Sequence, residues 1–163
     1  MQPRFLKKLL LACRETGIHT AVDTSGCCCW DDLDNIRGLT DLFLYDLKLM
    51  DEIRHREVTG VSNRQILENL KRLSAAGAAL YIRIPLIPDI NDDETNLRQT
   101  GEFISGLNGV TGVEVMGYHE IGLAKYQALD LPYRLKEIHP PSAAETQDAA
   151  SSLNISGIPV KVS

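Results

Sequence analysis

The chain has 163 residues, enough for one domain with a sizeable core, and 44% of them are hydrophobic, as a globular rather than a disordered chain requires. Its net charge is −5, and its lysines and arginines are scattered. That leaves no basic stripe for nucleic acid and no Lys-rich amphipathic helix for a membrane surface. No apolar run is long enough to cross a bilayer, and the start lacks the pattern of a signal peptide, so a cytoplasmic location is the expectation.

Residues 4–16 read as a helix, with Leu6, Leu9, Leu10 and Cys13 on one face and Gly17 at the C-terminal cap position. His19 to Asp23 is short and β-prone, and Thr24-Ser25-Gly26 ends it. A short helix follows, carrying Trp30, Leu33 and Ile36 up to Gly38. Leu42 to Leu47 is near-continuous apolar sequence, as a strand buried on both faces requires. Ser62 to Gln65 has the form of a capping box, followed by Ile66, Leu67, Leu70 and Leu73 at helical spacing before Gly77.

Leu80 to Leu86 predicts a strand with Pro85 near its end, where a lost donor is tolerated. A helix is expected from about Asp92 to Leu107, and a strand from Val113 to Met116. Residues 119–139 show no strong periodicity and read as a long loop, which in a compact domain is more often functional than idle. Ser142 to Glu145 is a second capping box, and Ile158 to Val162 closes the chain as a strand. Strands alternating with helices build a parallel sheet with helices outside, so the expectation is an α/β fold in a single domain over residues 1–163.

In such folds chemistry gathers at the C-terminal ends of the parallel strands. The first strand delivers Asp23 and Thr24 there, the second Asp46 and Lys48, the third Arg83 and then Asn91 and Asp92, and the fourth Tyr118 and His119. Asp23 and Asp46 are hard oxygen donors suited to a small cation or an ammonium group. Lys48 lies two residues from Asp46 and so shares its face of an extended strand. Lys48 and Arg83 can pair a ligand carboxylate or hydroxyl, and His119 can donate a hydrogen bond or stack on a flat ring. Each also has a plainer reading: Asp46 with Lys48 or with Arg83 as a salt bridge, Asp23 to Gly26 as turn chemistry, His119 as a loop histidine. Convergence at four strand ends favours a small-molecule site.

The cysteines are Cys13, Cys27, Cys28 and Cys29. Three in a row cannot form a spaced disulfide framework, so thiols in a reducing compartment are expected. Nor can consecutive cysteines readily wrap one metal or cluster; an accessible, oxidation-sensitive loop is the better reading. Cys13, on a core-facing stripe, reads as a small hydrophobe, and Trp30 as a packing anchor.

The ordered set Asp23-Thr24-Ser25-Gly26, Tyr45-Asp46-Leu47-Lys48, Arg83-Ile84-Pro85-Leu86-Ile87-Pro88 with Asn91-Asp92, and Tyr118-His119-Glu120-Ile121-Gly122 with Lys125-Tyr126 resembles the glycyl-radical-enzyme activating enzymes of the radical S-adenosylmethionine (SAM) type. Each motif is weak alone; their order over nearly the whole chain is specific. The resemblance implies a partial TIM-like (β/α)6 barrel, in which an N-terminal Cys-x3-Cys-x2-Cys motif holds a 4Fe–4S cluster and SAM binds its open iron. One electron cleaves SAM, and the resulting 5′-deoxyadenosyl radical takes hydrogen from a backbone glycine of a partner glycyl radical enzyme. It also implies a flavodoxin or ferredoxin-type electron donor.

By the same resemblance Asp46, Lys48, Arg83 and His119 bind SAM, and Asp23, Thr24 and Asp46 form a monovalent cation site beside its carboxylate. The cluster motif and the family's Gly-Gly-Glu segment do not occur in this sequence. The expectation is therefore a C-terminal portion without the first two β/α units, holding no cluster ligands and no catalytic residue of its own. Such a piece is expected to be inactive alone and to self-associate through the exposed sheet edge. Asp89 stands where the family often has Gly, and Gly117 where Pro often precedes Tyr-His. Two other readings are kept: a Schiff-base lyase using Lys48, and a non-catalytic partial barrel that docks a glycyl radical partner.

Overall fold

The computed structural model describes residues 2–133, 135 and 137–163. Five strands lie in one parallel sheet: β1 (Ala21–Thr24), β2 (Leu42–Asp46), β3 (Leu80–Leu86), β4 (Val110–Gly117) and β5 (Val160–Val162). Their order across the sheet is their order in the chain, and the sheet is open rather than closed. Between them run α1 (Pro3–Glu15), ahead of β1, then α2 (Trp30–Arg37), α3 (Glu52–Thr59), α4 (Arg64–Ala75), α5 (Glu94–Ser105), α6 (Leu123–Ala128) and α7 (Ala143–Ser152). This is the α/β architecture expected from the alternating pattern.

The strands show which face the helices cover. Phe43 and Tyr45 of β2, Leu80, Ile82, Ile84 and Leu86 of β3, and Val113 and Val115 of β4 are fully or almost fully buried. They join Leu33, Leu70, Leu73, Ile104 and Leu153 from the helical layer and its ends in one hydrophobic cluster. Burying each such side chain contributes about 1.5–3 kcal/mol. The alternate residues Leu44, Asp46, Tyr81, Arg83, Pro85, Glu114 and Met116 are only half-buried. The apolar run Leu42 to Leu47 predicts burial on both faces; instead burial alternates along it, with Leu42, Leu44 and Asp46 only half-buried. In register, Asp46, Arg83, Glu114 and Lys161 stand side by side across β2 to β5 on that face.

Other local differences have local causes. Helix α3 is polar and buries only His55, so no apolar stripe announces it. The box at Ser142 forms as its residues indicate, its hydroxyl accepting from Glu145 N and its own N–H donating to the Glu145 carboxylate. The box at Ser62 does not. Asn63 is the N-cap of α4, and its side-chain amide turns inward instead of capping. The Ser62 hydroxyl donates to Glu52 at 2.9 Å, tying α4 back to α3. Residues 119–139, expected as a loop, hold a 3-10 turn (Glu120–Gly122) and the short α6.

Candidate functional site

Parallel strands present their last residues at one end of the sheet, and here that end carries a linked set of charges. The Arg83 guanidinium sits between two carboxylates. Its Nε donates to Asp46 Oδ1 at 3.0 Å and its Nη2 lies 2.8 Å from the same oxygen. The same Nη2 also pairs with Asp23. Lys48 Nζ approaches the other Asp46 oxygen at 3.4 Å. The Arg83 and Asp46 side chains keep 18% and 21% of their exposure, while Asp23 is largely open at 61%. Burial opposes the charge on Arg83, but its hydrogen bonds to Asp23 and Asp46 and their negative charges outweigh that and raise its pKa.

The loops below this network are held by four buried asparagines. Asn91 donates to Lys48 O at 2.9 Å and Pro85 O at 2.7 Å and accepts from Ile87 N, so one side chain joins the ends of β2 and β3. Asn96 accepts from Met50 N and donates to Asn91 O. Asn63 donates to the carbonyls of Leu49 and Met50, and Asn69 to those of Gly26 and Cys28. His55 is buried as well, its Nδ1 2.8 Å from Val61 O. None of these carries the ionic signal that marks Asp46 or Arg83. Only Asn91 stands out in the sequence, and it serves the site by positioning.

The other expected site residues stand further off. Thr24 Oγ1 accepts from Gly26 N at 2.9 Å and shapes the turn after β1. Tyr118 N donates to Leu86 O, carrying the strand pairing one residue past β4, and His119 follows, exposed and with no hydrogen bond to the charged network. Beside Lys48 a cleft of about 600 Å³ opens between the end of α3 at Val58 and Gly60 and the segment bearing Tyr126, Leu131 and Tyr133. Cys27 and Cys29 are exposed while Cys28 packs against the core, and no group of three or more His, Cys, Asp or Glu among the described residues is placed to hold a metal ion.

Residues 1–99 match the model of the radical SAM superfamily. The chain is 35% identical to the pyruvate formate-lyase-activating enzyme of Staphylococcus epidermidis, an alignment covering 98% of this chain and 66% of that protein. The chain belongs to the radical SAM superfamily. It is 39% identical to the (2S)-3-sulfopropanediol dehydratase activating enzyme of Klebsiella oxytoca over 85% of this chain and 44% of that one. Among solved structures, a domain of the pyruvate-formate lyase-activating enzyme from Bacteroides vulgatus superposes with a TM-score of 0.82 at 30% identity, covering 99% of this chain and 91% of that domain. The resemblance to glycyl-radical-enzyme activases is thus borne out. The chain spans between 44% and 67% of the length of the curated relatives it matches.

Two departures from this superfamily's activase pattern now have structural accounts. Asp89 takes φ of 63°, the left-handed conformation that a glycine adopts freely. Gly117 donates its N–H to Ser163 O at 2.9 Å, a bond to the chain's last residue that a proline could not make.

Proposed function

We propose that this chain is the SAM-binding part of an activase that reductively cleaves SAM to place a glycyl radical on a pyruvate formate-lyase-like partner enzyme. The observation that carries the reading is the Asp23–Arg83–Asp46–Lys48 network, where the ends of β1 and β2 lie level with the middle of β3. Lys48 and Arg83 supply positive charge for the SAM carboxylate, Asp46 takes the ammonium or orients its neighbours, and His119 lies at the nucleoside end. A monovalent cation at Asp23, Thr24 and Asp46 would require Arg83 to release one carboxylate. The cleft beside Lys48 admits the glycine-bearing segment of the partner.

The donor set does not fit a 4Fe–4S cluster. Cys28 faces the core between two outward neighbours, so the three thiols do not converge, and the ligands of the cluster belong to another part of a longer protein. That part also receives the electron from a flavodoxin or ferredoxin-type donor. The chain by itself is inactive and self-associates at the β1 edge. The lysine-nucleophile reading loses ground, because Lys48 is engaged by a carboxylate of its own strand end and the chain's superfamily works by other chemistry.

Calorimetric titration with SAM tests the proposal. With part of the binding shell present, a dissociation constant in the high micromolar range or above is expected, and Lys48→Ala should weaken it by about tenfold, the loss of one charge-assisted contact. An unchanged constant in Lys48→Ala, or binding tight enough to need no further segment, would sink this assignment.

A further inference from the structure

The charged row across β2 to β5 is paired on one side only. Asp46, Arg83 and Glu114 are register partners on adjacent strands, and neighbouring strands lie about 4.7–4.9 Å apart. Arg83 therefore has a carboxylate neighbour on either side. It uses the β2 side, where Nε and Nη2 hold Asp46 and Nη2 also holds Asp23. Its Nη1 lies on the edge of the guanidinium turned away from that fork. Among the described residues Nη1 has no hydrogen-bond partner, and it is not sealed from water. Glu114 is half-buried and forms no ion pair among the described residues. Lys161 flanks it on β5 but is exposed, where a pair with Glu114 is weak. Asp23, Asp46 and Glu114 thus face Lys48 and Arg83, and the cluster carries one negative charge more than it balances.

We propose that Glu114 is the positioning residue that takes over the Arg83 guanidinium when a monovalent cation binds between Asp23 and Asp46. The inference rests on the cation site proposed above and extends it to a residue on another strand. A cation there needs carboxylate oxygens that Arg83 now occupies. The guanidinium is largely buried, and a buried charge released without a new partner is costly. Glu114 offers that partner one strand away on the same face, and rotation of the Arg83 side chain about its own bonds reaches it with β3 unmoved. In one arrangement Arg83 closes the gap between Asp23 and Asp46. In the other it lies on Glu114 and the gap holds the cation. The cation binds only the second arrangement, so it shifts the population toward it.

The test follows the Arg83 Nε–H resonance in the full chain, with its arginines isotope-labelled at nitrogen, as potassium chloride replaces choline chloride at constant ionic strength. Loss of one signal in Arg83→Lys identifies the resonance. In the native chain it is expected to move as potassium is added, because the bond to Asp46 is exchanged for one to Glu114. In Glu114→Gln, which keeps the side chain's size and removes its charge, the midpoint of that movement should need at least about fivefold more potassium. A resonance that potassium leaves unmoved in the native chain, or one that moves with the same midpoint in Glu114→Gln, would overturn the assignment. No arm of the test involves SAM, so a chain that binds no SAM would remove the proposed function and leave this role of Glu114 standing.

Discussion

The loops that follow β1, β2 and β3 and the segment that follows β4 lie at the same end of the sheet, yet they are held in different ways. The first three are bound by side-chain amides: Asn69 after β1, Asn63 and Asn91 after β2, Asn91 and Asn96 after β3. Each amide replaces a carbonyl's lost water with a protein donor, which is what lets irregular backbone be buried. After β4 the contacts are aromatic and peripheral. The Tyr118 and Tyr133 hydroxyls share a hydrogen bond, and Tyr126 meets the Tyr133 ring edge-on at 5.0 Å. Ile121, Leu129 and Leu131 project into solvent. The charged network is therefore fixed in place by its own scaffold, whereas the segment around α6 leaves apolar surface that this chain does not use.

The contrast can be broken or sharpened by substitution. Asn69→Ala strips two carbonyls of their donor in a fully buried position and should cost about 2–4 kcal/mol, read as a lower urea midpoint with an unchanged slope. Asp89→Gly acts on the same clamped side but in the opposite direction. Relieving a left-handed aspartate should raise stability by about 0.5–1 kcal/mol, visible as a small rise in melting temperature. Leu129→Ser, on the other side of the comparison, should change stability by no more than about 0.5 kcal/mol either way, because the leucine is 68% exposed. If Leu129→Ser were as damaging as Asn69→Ala, the two regions would not differ in the way described.

Much of the clamped side is legible in the residues themselves. The leucine and isoleucine spacing of α4 and the alternation of β3 require their elements, and the capping box at Ser142 forms as its residues indicate. Asp46, Lys48 and Arg83 stand out as charges directly following apolar runs, and the plainer reading of Arg83 as a partner of Asp46 is what the geometry displays. His119 groups with them by its position after a strand, but its place at the end of β4 gives it no bond to the network. The asparagine clamps are not legible in the same way. A buried Asn and an exposed one look alike in a sequence, and only the carbonyls brought beside Asn69, from residues more than forty positions away, make it structural. The Ser62 box fails because α4 starts one residue later than its residues indicate: Asn63 is the N-cap, and the Ser62 oxygen accepts from Arg64 N while its hydroxyl donates to Glu52.

Local chemistry, then, was determined by the sequence alone. Period and composition decided most of the helices and strands, though not α3 or α6, and that parallel strands would bring Asp23, Asp46 and Arg83 to one end. The tertiary structure decided what depends on long-range neighbours. It left one face of the sheet half-buried, it placed the Arg83 guanidinium between two carboxylates from different strands, and it sent three adjacent thiols into different surroundings. Those outcomes depend on which surfaces the helices cover and which distant groups meet, and spacing along a chain does not record either.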